Sequence, residues 1–296
     1  MTDLSVVVPS VNGWDDLEGC LQALNAQRTD VELEVLVVDR CGDAVRHSVE
    51  EHYPWVRLLP ATPGTPIPVL RALAFEQARG DAVSVIEDHV LVPEGWARQL
   101  LEALGRGERV VGGSVENAAT ERLVDWAAFL CEYSHLLPPL PEGPVDSLPG
   151  NNTVYHRSVL THYRSVIQEA QWEHRLHDVM RRDGVELISR PEIRVCHKRH
   201  YSVWSYAQER FWYSRSYAGG MSGGSPAWQR LLRGARALLL PPVLYGRIVS
   251  TVWGKGAHRK ELLLSLPLLV LFVIVWGLGE VVGHWAGAGD SLSKVR

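Results

Sequence analysis

The sequence predicts an α/β protein with a mostly parallel central sheet, followed by a C-terminal membrane helix. Two observations predict the sheet: apolar segments rich in β-branched residues recur along the first half of the chain, and segments of helical periodicity separate them. One observation predicts the membrane helix: residues 262–279 read LLLSLPLLVLFVIVWGLG and carry no charge. The chain of 296 residues is long enough for one large domain and an appendage.

The first half alternates between predicted strands and helices. The strands are apolar runs that end in proline or in an acidic residue, and the helices repeat apolar residues every three to four positions. Short connections between them favour a parallel sheet covered on both faces. The predicted strands are residues 4–9 (LSVVVP), 33–39 (LEVLVVD), 55–59 (WVRLL) and 82–89 (AVSVIEDH), and the predicted helices are 15–26 and 69–78.

Beyond Gly112 the alternation is less regular. Helical spacing returns at residues 121–133 and 172–182, and residues 185–188 form a short predicted strand. The segment LPGNNTVYHRSVL is interpreted as a loop that enters a strand or a helix. The glycine-rich segment 219–225 (GGMSGGS) is interpreted as a flexible joint.

Composition excludes several classes of protein. With 46% hydrophobic and 22% charged residues, the chain is not disordered or collagenous. The four cysteines lie far apart without a C-x-x-C pair, which favours reduced thiols in a cytoplasmic environment over a disulfide framework. The N-terminus lacks the basic and long apolar regions of a signal peptide, so we expect the catalytic part to stay in the cytoplasm.

The formal net charge of −4 conceals an uneven distribution of charge. Residues 210–260 contain nine Lys and Arg and no Asp or Glu, so the remainder has 30 − 9 = 21 basic against 34 acidic residues. Such a basic arm could bind nucleic acid, but the apolar segment that follows it favours a membrane, and no nucleic-acid partner is expected.

The basic arm lies at one end of the apolar segment, and Trp276 and Trp285 lie toward the other end. This arrangement is expected for one C-terminal span with its basic end in the cytoplasm. A buried core helix is the alternative interpretation. Residues 235–253 form a second apolar stretch, but Pro241, Pro242 and Arg247 interrupt it, which favours an in-plane amphipathic segment over a second span. Whether both stretches cross a membrane stays open at this stage.

These patterns divide the chain into four predicted segments. An α/β domain is expected first, then a joint with a basic membrane-surface segment, a transmembrane helix and a short tail. The predicted bounds are 1–218, 219–260, 261–285 and 286–296.

The most informative polar group is Glu87-Asp88-His89, which ends a predicted apolar strand. Carboxylate oxygens suit Mg²⁺ or Mn²⁺ bridging a diphosphate, and an imidazole shifts the preference toward manganese. Solvation of a strand end is the alternative interpretation of this triplet.

Asp39 ends a neighbouring strand, where a carboxylate can accept hydrogen bonds from a nucleobase or ribose, although Asp is also a common turn residue. Neither G-x-G-x-x-G after the first strand nor a P-loop motif is present, so phosphate binding would depend on a metal and on side chains such as Arg71.

The second half offers histidine pairs and one carboxylate of interest. His174 and His177 are three residues apart, as are His197 and His200, and either pair could bind zinc, but no further ligand is suitably spaced. Glu173 begins a predicted helix beside Trp172. It is a candidate general base, or alternatively a first-turn Glu favoured by the helix dipole.

Taken in order, these segments resemble the family 2 glycosyltransferases of GT-A fold over roughly residues 4–217. SVVVPSVN resembles the nucleotide loop of the family, LEVLVVD its second strand, and VLRALAFEQARGDAVSVIEDH the segment from the diphosphate-side arginine to the D-x-D strand. PGNNTVYHR resembles its acceptor-side loop, and WEHRLHDVMRRDGVELISRPEIRVCH the block with the catalytic Glu-Asp pair and a closing His. SYAQERFWYSRSYA is similar to the Q-x-x-R-[FW] region of membrane-attached members.

The resemblance implies a GT-A-like nucleotide-diphospho-sugar transferase fold and an inverting transfer of a sugar to an acceptor hydroxyl. The acceptor would be lipid-linked or a cell-envelope glycan at the cytoplasmic membrane face, and a divalent cation, Mn²⁺ or Mg²⁺, would assist.

The sequence departs from the family where His89 replaces the last carboxylate of the D-x-D triplet and His174 replaces the second residue of the Glu-Asp pair. A membrane-tethered homologue that binds a nucleotide sugar or a partner without catalysis is the alternative. The implied residues are Glu173 and His174 (catalytic), Pro9, Ser10, Asn12, Asp39, Arg71, Asp81, Glu87 and Asp88 (nucleotide-sugar binding), Gly150, Asn151 and Asn152 (acceptor side), and Asp88, His89 and His197 (metal).

Overall fold

The computed structural model describes residues 2–296, and contacts divide them into two compact units. Unit 1 runs through Glu116 and resumes over Pro138–Lys198, and unit 2 comprises Asn117–Leu137 and Arg199–Arg296. Unit 2 therefore begins well before the boundary predicted at residue 218. The reason is that the helix over Val203–Met221 packs against the C-terminal helices.

Within the described residues, one mixed sheet of nine strands forms the centre of unit 1. The strand order is β3-β2-β1-β4-β8-β6-β9-β5, and β7 pairs with β9. The strands are β1 (Leu4–Ser10), β2 (Leu33–Asp39), β3 (Arg57–Pro60), β4 (Ala82–Val85), β5 (Val90–Leu91), β6 (Val110–Asn117), β7 (Gly143–Val145), β8 (Thr153–His156) and β9 (Leu187–His197).

Helices connect the strands of unit 1 and make up most of unit 2. The helices are α1 (Trp14–Gln27), α2 (Asp43–His52), α3 (Ile67–Gln77), α4 (Trp96–Gly105), α5 (Leu123–Tyr133), α6 (Arg157–His162), α7 (Arg164–Gln168), α8 (Glu173–Arg182), α9 (Val203–Met221), α10 (Ala227–Ala237), α11 (Leu240–Lys255), α12 (Arg259–Ala286) and α13 (Ser291–Lys294).

The predicted parallel arrangement is confirmed for the first half of the chain. Strand β1 pairs in parallel with β2 and β4, and β2 with β3, so that their carboxyl ends lie at one edge of the sheet. In the second half, β8 is antiparallel to both β4 and β6. Thr153, the first residue of β8, pairs with Val85, the last residue of β4. The loop before β8 therefore lies at the same edge as the carboxyl ends of the parallel strands.

Several elements differ from the sequence prediction, which for example contained neither α4 nor β6, and two of the differences bear on the site. The predicted strand 82–89 ends at Val85, and Glu87-Asp88-His89 lies in the turn before β5, because Asp88 accepts hydrogen bonds from the loop after β1. Helix α2 was not predicted. Its buried apolar residues are Val45 and Val49, which give a weak periodic signal in a charged segment.

A shared core positions the helices that bear the site. Leu70 and Ala74 of α3 lie in the same buried cluster as Leu176 and Met180 of α8, together with Tyr155 of β8. Burial of such apolar side chains contributes about 1.5–3 kcal/mol for each large residue. The first turns of α3 and α8 are thereby held close together.

In unit 2, α12 packs against α5, α9, α10 and α11. Within residues 2–296, α12 is the helix that is long and apolar enough to cross a membrane, and the pair α10–α11 would qualify jointly across a 47° bend. The predicted joint at 219–225 overlaps α9, which extends to Met221, and the chain turns between there and Ala227.

Candidate active site

The loop after β1 is held by the carboxylate of Asp88. Asp88 Oδ2 accepts hydrogen bonds from the backbone N–H of Val11 at 2.7 Å and of Asn12 at 2.9 Å. Asp88 Oδ1 accepts a third from Asn12 Nδ2 at 2.7 Å. Asp88 is fully buried, which by itself would raise its pKa, but these bonds and neighbouring His89 hold the pKa of Asp88 below its ordinary value.

Asp39 anchors the neighbouring strand end. Its carboxylate is buried and accepts hydrogen bonds from Ser10 Oγ at 2.9 Å, the Gly42 N–H at 3.0 Å and Arg46 Nε at 2.9 Å. The backbone N–H of Cys41 adds a fourth at 3.1 Å. Asp39 therefore holds the last residue of β1, and Asp88 holds the loop that follows it.

Glu87, His89 and His197 form a compact cluster. His89 Nε2 lies 2.9 Å from His197 Nε2 and 3.3 Å from Glu87 Oε2. One ligand atom from each of the three residues lies within 4.8 Å of the others. Strand β9 brings His197 to this position because it pairs in register with Val90.

The donor set of this cluster fits a divalent cation. One carboxylate with two imidazoles suits Mn²⁺ or another transition metal better than Mg²⁺, which prefers oxygen ligands. The predicted metal set was Asp88, His89 and His197, whereas the three possible ligands that the structure brings together are Glu87, His89 and His197. The oxygens of Asp88 bind the loop after β1 and lie 3.0 Å from His89 Nδ1, which is the position of a residue that orients a metal-binding histidine.

Electrostatics keep Glu87 ionised within this cluster. Burial alone would raise the pKa of Glu87, but the hydrogen bond to His89 and the positive charges of His89, His197 and Arg71 hold it well below the ordinary value. A cation bound here would therefore meet a carboxylate that is already deprotonated.

Arg71 connects this cluster with the predicted catalytic carboxylate. Arg71 Nη1 donates to Glu173 Oε2 at 2.6 Å, and Arg71 Nη2 lies 3.9 Å from Glu87 Oε1. Arg71 is buried, and its Nε has no hydrogen-bond partner within the described residues. Glu173 and Glu87 are each about a quarter exposed, so both carboxylates reach solvent beside one guanidinium.

The loop before β8 completes the constellation. Asn151 Nδ2 donates to Glu87 Oε2 at 3.0 Å. A Cβ at Gly150 would overlap Glu173 Oε1, so the absence of a side chain there lets the carboxylate lie against the loop. Asn152 is structural: its buried amide donates to the carbonyls of Ser114 and Ile193.

A pocket opens beside Glu173, between α3, α8 and the loop before β8. Its walls include Arg71, Phe75, Gly150, Tyr155, Trp172 and Glu173, and its cavity volume of about 30 Å³ has room for a water molecule. Below the pocket, Tyr155 Oη lies 2.7 Å from His177 Nε2, and both residues are buried.

Burial lowers the pKa of His174, although Glu173 and Asp178 oppose the shift, so His174 is a neutral imidazole at neutral pH.

Some predicted residues do not join the cluster. Asp81 is exposed and precedes β4, at the edge of the sheet opposite to Glu87. Neither histidine pair proposed for zinc is assembled: His177 contacts Tyr155, and His200 Nδ1 lies 2.8 Å from Asp125 in unit 2. Among residues 2–296, the cluster of possible metal ligands is Glu87, His89 and His197.

The structure also adds residues that the sequence did not indicate. Arg46, on the unpredicted helix α2, binds both Asp39 and the carbonyl of Ala61 at 2.9 Å. Tyr155 follows the PGNN segment, but nothing in its local pattern distinguishes it from a core residue. The predicted residues Ser10, Asn12, Arg71, Glu87, Asp88, His89, Gly150, Asn151, Glu173 and His197 are those that the structure brings together.

Three comparisons with known proteins address this arrangement. The model of the family described as glycosyl transferase family 2 matches residues 5–164. No curated protein sequence matches the chain. Among solved structures, a mannosyltransferase, PcManGT from Pyrobaculum calidifontis in complex with GDP-Man and Mn²⁺, superposes with a TM-score of 0.57 at 15% identity, covering 95% of this chain and 86% of that one. TarS 1–349 from S. aureus has a TM-score of 0.49 at 14% identity, covering 96% and 92%. The mannosyltransferase is evidence for the fold alone, and the similarity to TarS supports no further conclusion.

Proposed function

The chain belongs to glycosyl transferase family 2, and on that premise we propose that it transfers a sugar from a nucleotide-diphosphate sugar to an acceptor hydroxyl with inversion at the anomeric carbon. One observation carries the proposal: Arg71 joins Glu173 to Glu87, so that the predicted base and the predicted metal cluster share one edge of the sheet. These residues are far apart in the sequence, and a sheet edge with polar strand ends is where α/β folds bind ligands.

The donor nucleotide would lie over the carboxyl ends of β1 and β2. Asp39 holds Ser10 at the end of β1, and Asp88 holds Val11 and Asn12 in the loop that follows. The guanidinium of Arg71, already positioned between two carboxylates, would attract the diphosphate. The fold similarity to a structure that contains GDP-Man is consistent with this placement.

Glu87, His89 and His197 would hold Mn²⁺ or a similar cation. When bound, the cation would neutralise the negative charge of the diphosphate leaving group. Asp88 would fix the ring of His89, and the carboxylate of Glu87 would offer a charged ligand without first losing a proton.

Glu173 would accept the proton of the acceptor hydroxyl. As the acceptor oxygen bonds to the anomeric carbon, the bond from that carbon to the diphosphate oxygen breaks, and the hydroxyl proton passes to a carboxylate oxygen of Glu173. Arg71 orients the carboxylate at 2.6 Å, and the exposed part of Glu173 would meet the acceptor from the solvent side. Neutral His174, the next residue, is the second candidate for the base.

The acceptor is proposed to be lipid-linked or part of a cell-envelope glycan, with the catalytic residues at the cytoplasmic face of a membrane. The support is the apolar helix α12 and the exposed apolar residues of unit 2. Attachment to a membrane would raise the local concentration of a lipid-linked acceptor.

A binding and turnover experiment tests this function. We expect GDP- or UDP-sugars to raise the melting temperature of the full chain more strongly with Mn²⁺ than without it, and the same donor to be hydrolysed or transferred. Glu173→Gln should keep donor binding and lose at least about 100-fold in turnover. Glu169→Gln, an exposed acid that pairs with Arg175, is the matched control and should behave as wild type.

The two possible failures have different meanings. If no nucleotide sugar or nucleotide diphosphate binds, the proposed function is wrong. If a donor binds but wild-type protein neither hydrolyses nor transfers it with any acceptor, the chain is the catalytically silent homologue that the altered triplet left open.

A further inference from the structure

One face of helix α12 is apolar and exposed. Its residues are 40–55% exposed and recur at helical spacing, whereas Leu262, Leu269 and Phe272 on the other face are buried. Soluble proteins rarely expose such a continuous apolar surface unless it binds something. We call this surface the α12 stripe, and it consists of Leu263, Leu264, Val270, Leu271, Ile274 and Leu278.

Helices α10 and α11 return along α12 and carry exposed apolar side chains of their own. Gly234 of α10 lies against Trp285, and Gly277 of α12 lies 2.7 Å, measured from an ideal Cβ, from Pro241 of α11. These two contacts show that the helices run antiparallel. They contribute further apolar side chains that are 44–68% exposed: Trp228, Leu231, Leu232, Leu238, Leu239, Val243 and Trp253.

Exposed basic residues lie on the same helix faces as the apolar ones. Each stands four residues from an exposed apolar residue, and positions i and i+4 share a face. The pairs are Leu232 with Arg236, Val243 with Arg247, and Lys260 with Leu264. Because residues 210–260 contain no acid, this combination is complementary to a membrane surface with anionic headgroups.

The position of Arg247 argues against a helix that spans the bilayer. Counting six residues along antiparallel helices from the contact of Pro241 with Gly277 places Arg247 beside residue 271, near the middle of the apolar segment 262–279, and Arg247 is exposed. A spanning α12 would place this exposed arginine at the depth of the hydrocarbon, where charge is strongly disfavoured.

We propose that α10, α11 and α12 bind one leaflet of an anionic membrane in its plane, with the α12 stripe in the acyl region and Arg236, Arg247 and Lys260 at the headgroups. This geometry leaves Arg247 among the headgroups and one face of α12 on protein. It is an alternative to the predicted single transmembrane span, which stays a prediction. It does not depend on the proposed transferase activity, because membrane binding is measured without substrate.

Vesicle binding tests the chemistry of this surface. We expect the full chain to bind vesicles of phosphatidylcholine with phosphatidylglycerol at least about tenfold more tightly than phosphatidylcholine alone, with the difference reduced by 1 M NaCl. Leu271→Glu with Ile274→Glu should weaken binding at least tenfold. Leu73→Glu, which changes a leucine of similar exposure in unit 1, is the matched control and should bind as wild type. Equal binding by the α12 double variant and wild type would refute the surface.

Labelling of single cysteines distinguishes in-plane from spanning helices. With Cys41→Ser and Cys196→Ser as background, Gly254→Cys and Ala286→Cys place thiols near the two ends of α12, which are about 42 Å apart at 1.5 Å per residue. Protein bound to preformed vesicles is treated with a membrane-impermeant maleimide. We expect complete modification at both sites without detergent. Protection of either site until detergent is added would overturn the in-plane arrangement.

Discussion

At the scale of single residues, three consecutive ionisable groups have three different partners. Glu87 faces Arg71 and Asn151, Asp88 binds the loop after β1, and His89 meets His197. Their adjacency in the sequence suggests one shared role. The hydrogen bonds separate them into a carboxylate and an imidazole that are proposed to hold a metal ion, and a carboxylate that positions the loop after β1.

The first prediction concerns Glu87, the carboxylate proposed to bind the cation. Glu87→Gln removes the charged ligand of the cluster and should weaken Mn²⁺ binding at least tenfold, as measured by the electron paramagnetic resonance signal of the unbound ion. Glu94→Gln removes the same charge at an exposed position of the same unit and should leave the affinity unchanged. Unaltered affinity in Glu87→Gln would show that Mn²⁺ binds elsewhere.

The second prediction concerns the contact between Gly150 and Glu173. A methyl group at residue 150 would overlap Glu173 Oε1, so Gly150→Ala should displace the carboxylate and reduce turnover about 100-fold. Gly105→Ala adds a methyl group to open space and is the control. Unfolding curves should show both variants folded, and full activity in Gly150→Ala would remove Glu173 from the mechanism.

At the scale of elements, α3, α8 and β8 act together because they share a buried cluster. The pair Tyr155–His177 lies at this junction, below the ion pair of Arg71 and Glu173. Burial lowers the pKa of His177 from the model-compound value of 6.5 to about 4, although Glu173 opposes the shift. Burial also raises the pKa of Tyr155, so both partners are neutral over the physiological range.

The third prediction is a pH dependence of folding stability. Because the unfolded chain binds a proton at His177 more readily than the folded chain does, stability is complete above about pH 6.5 and is lost as the pH falls toward 4, by up to roughly 3 kcal/mol. Urea unfolding of wild type and His177→Gln at a series of pH values measures this contribution. The variant should have a shallower dependence between pH 6.5 and 4, and identical slopes would contradict the assignment.

At the scale of the whole molecule, each unit joins segments that are distant in the chain. Unit 1 closes over residues 138–198 after an interruption, and unit 2 combines α5 with the C-terminal helices. In unit 2, buried Arg210 of α9 binds Glu132 of α5 and stacks on Trp276 of α12, so one guanidinium connects three helices.

The fourth prediction tests that connection. Arg210→Met leaves Glu132 without its cation and should lower the free energy of unfolding by about 2–3 kcal/mol, less than for a wholly buried pair because Glu132 is about a quarter exposed. Adding Glu132→Gln should restore part of this loss. Arg175→Met, which breaks the exposed pair with Glu169, should change stability by less than about 1 kcal/mol. A similar effect of both single variants would contradict the structural role of Arg210.

Local patterns in the chain were sufficient to predict the parallel half of the sheet and most of the residues of the candidate site. Apolar β-branched runs define β1 and β2 because a strand buried on both faces leaves a continuous signal. Polar residues at the ends of such runs indicated Asp39 and the triplet at 87–89. Strand β8 gave no comparable signal, because it has only four residues and follows a loop. Its antiparallel pairing with β4 depends on the direction in which the chain enters the sheet.

Long-range contacts decided which of these residues act together. The grouping of Glu87 with His89 and His197, the hydrogen bonds of Asp88 to the loop after β1, the place of Asp81 at the opposite edge and the contacts of Arg46 all depend on partners distant in the chain. The same is true of α12: its composition indicates a preference for lipid, but only its packing against α9 and α11 shows which face is available to a membrane. Composition and periodicity indicate whether a segment prefers water or an apolar environment. The direction in which each side chain points is determined by the neighbours that the fold brings to it.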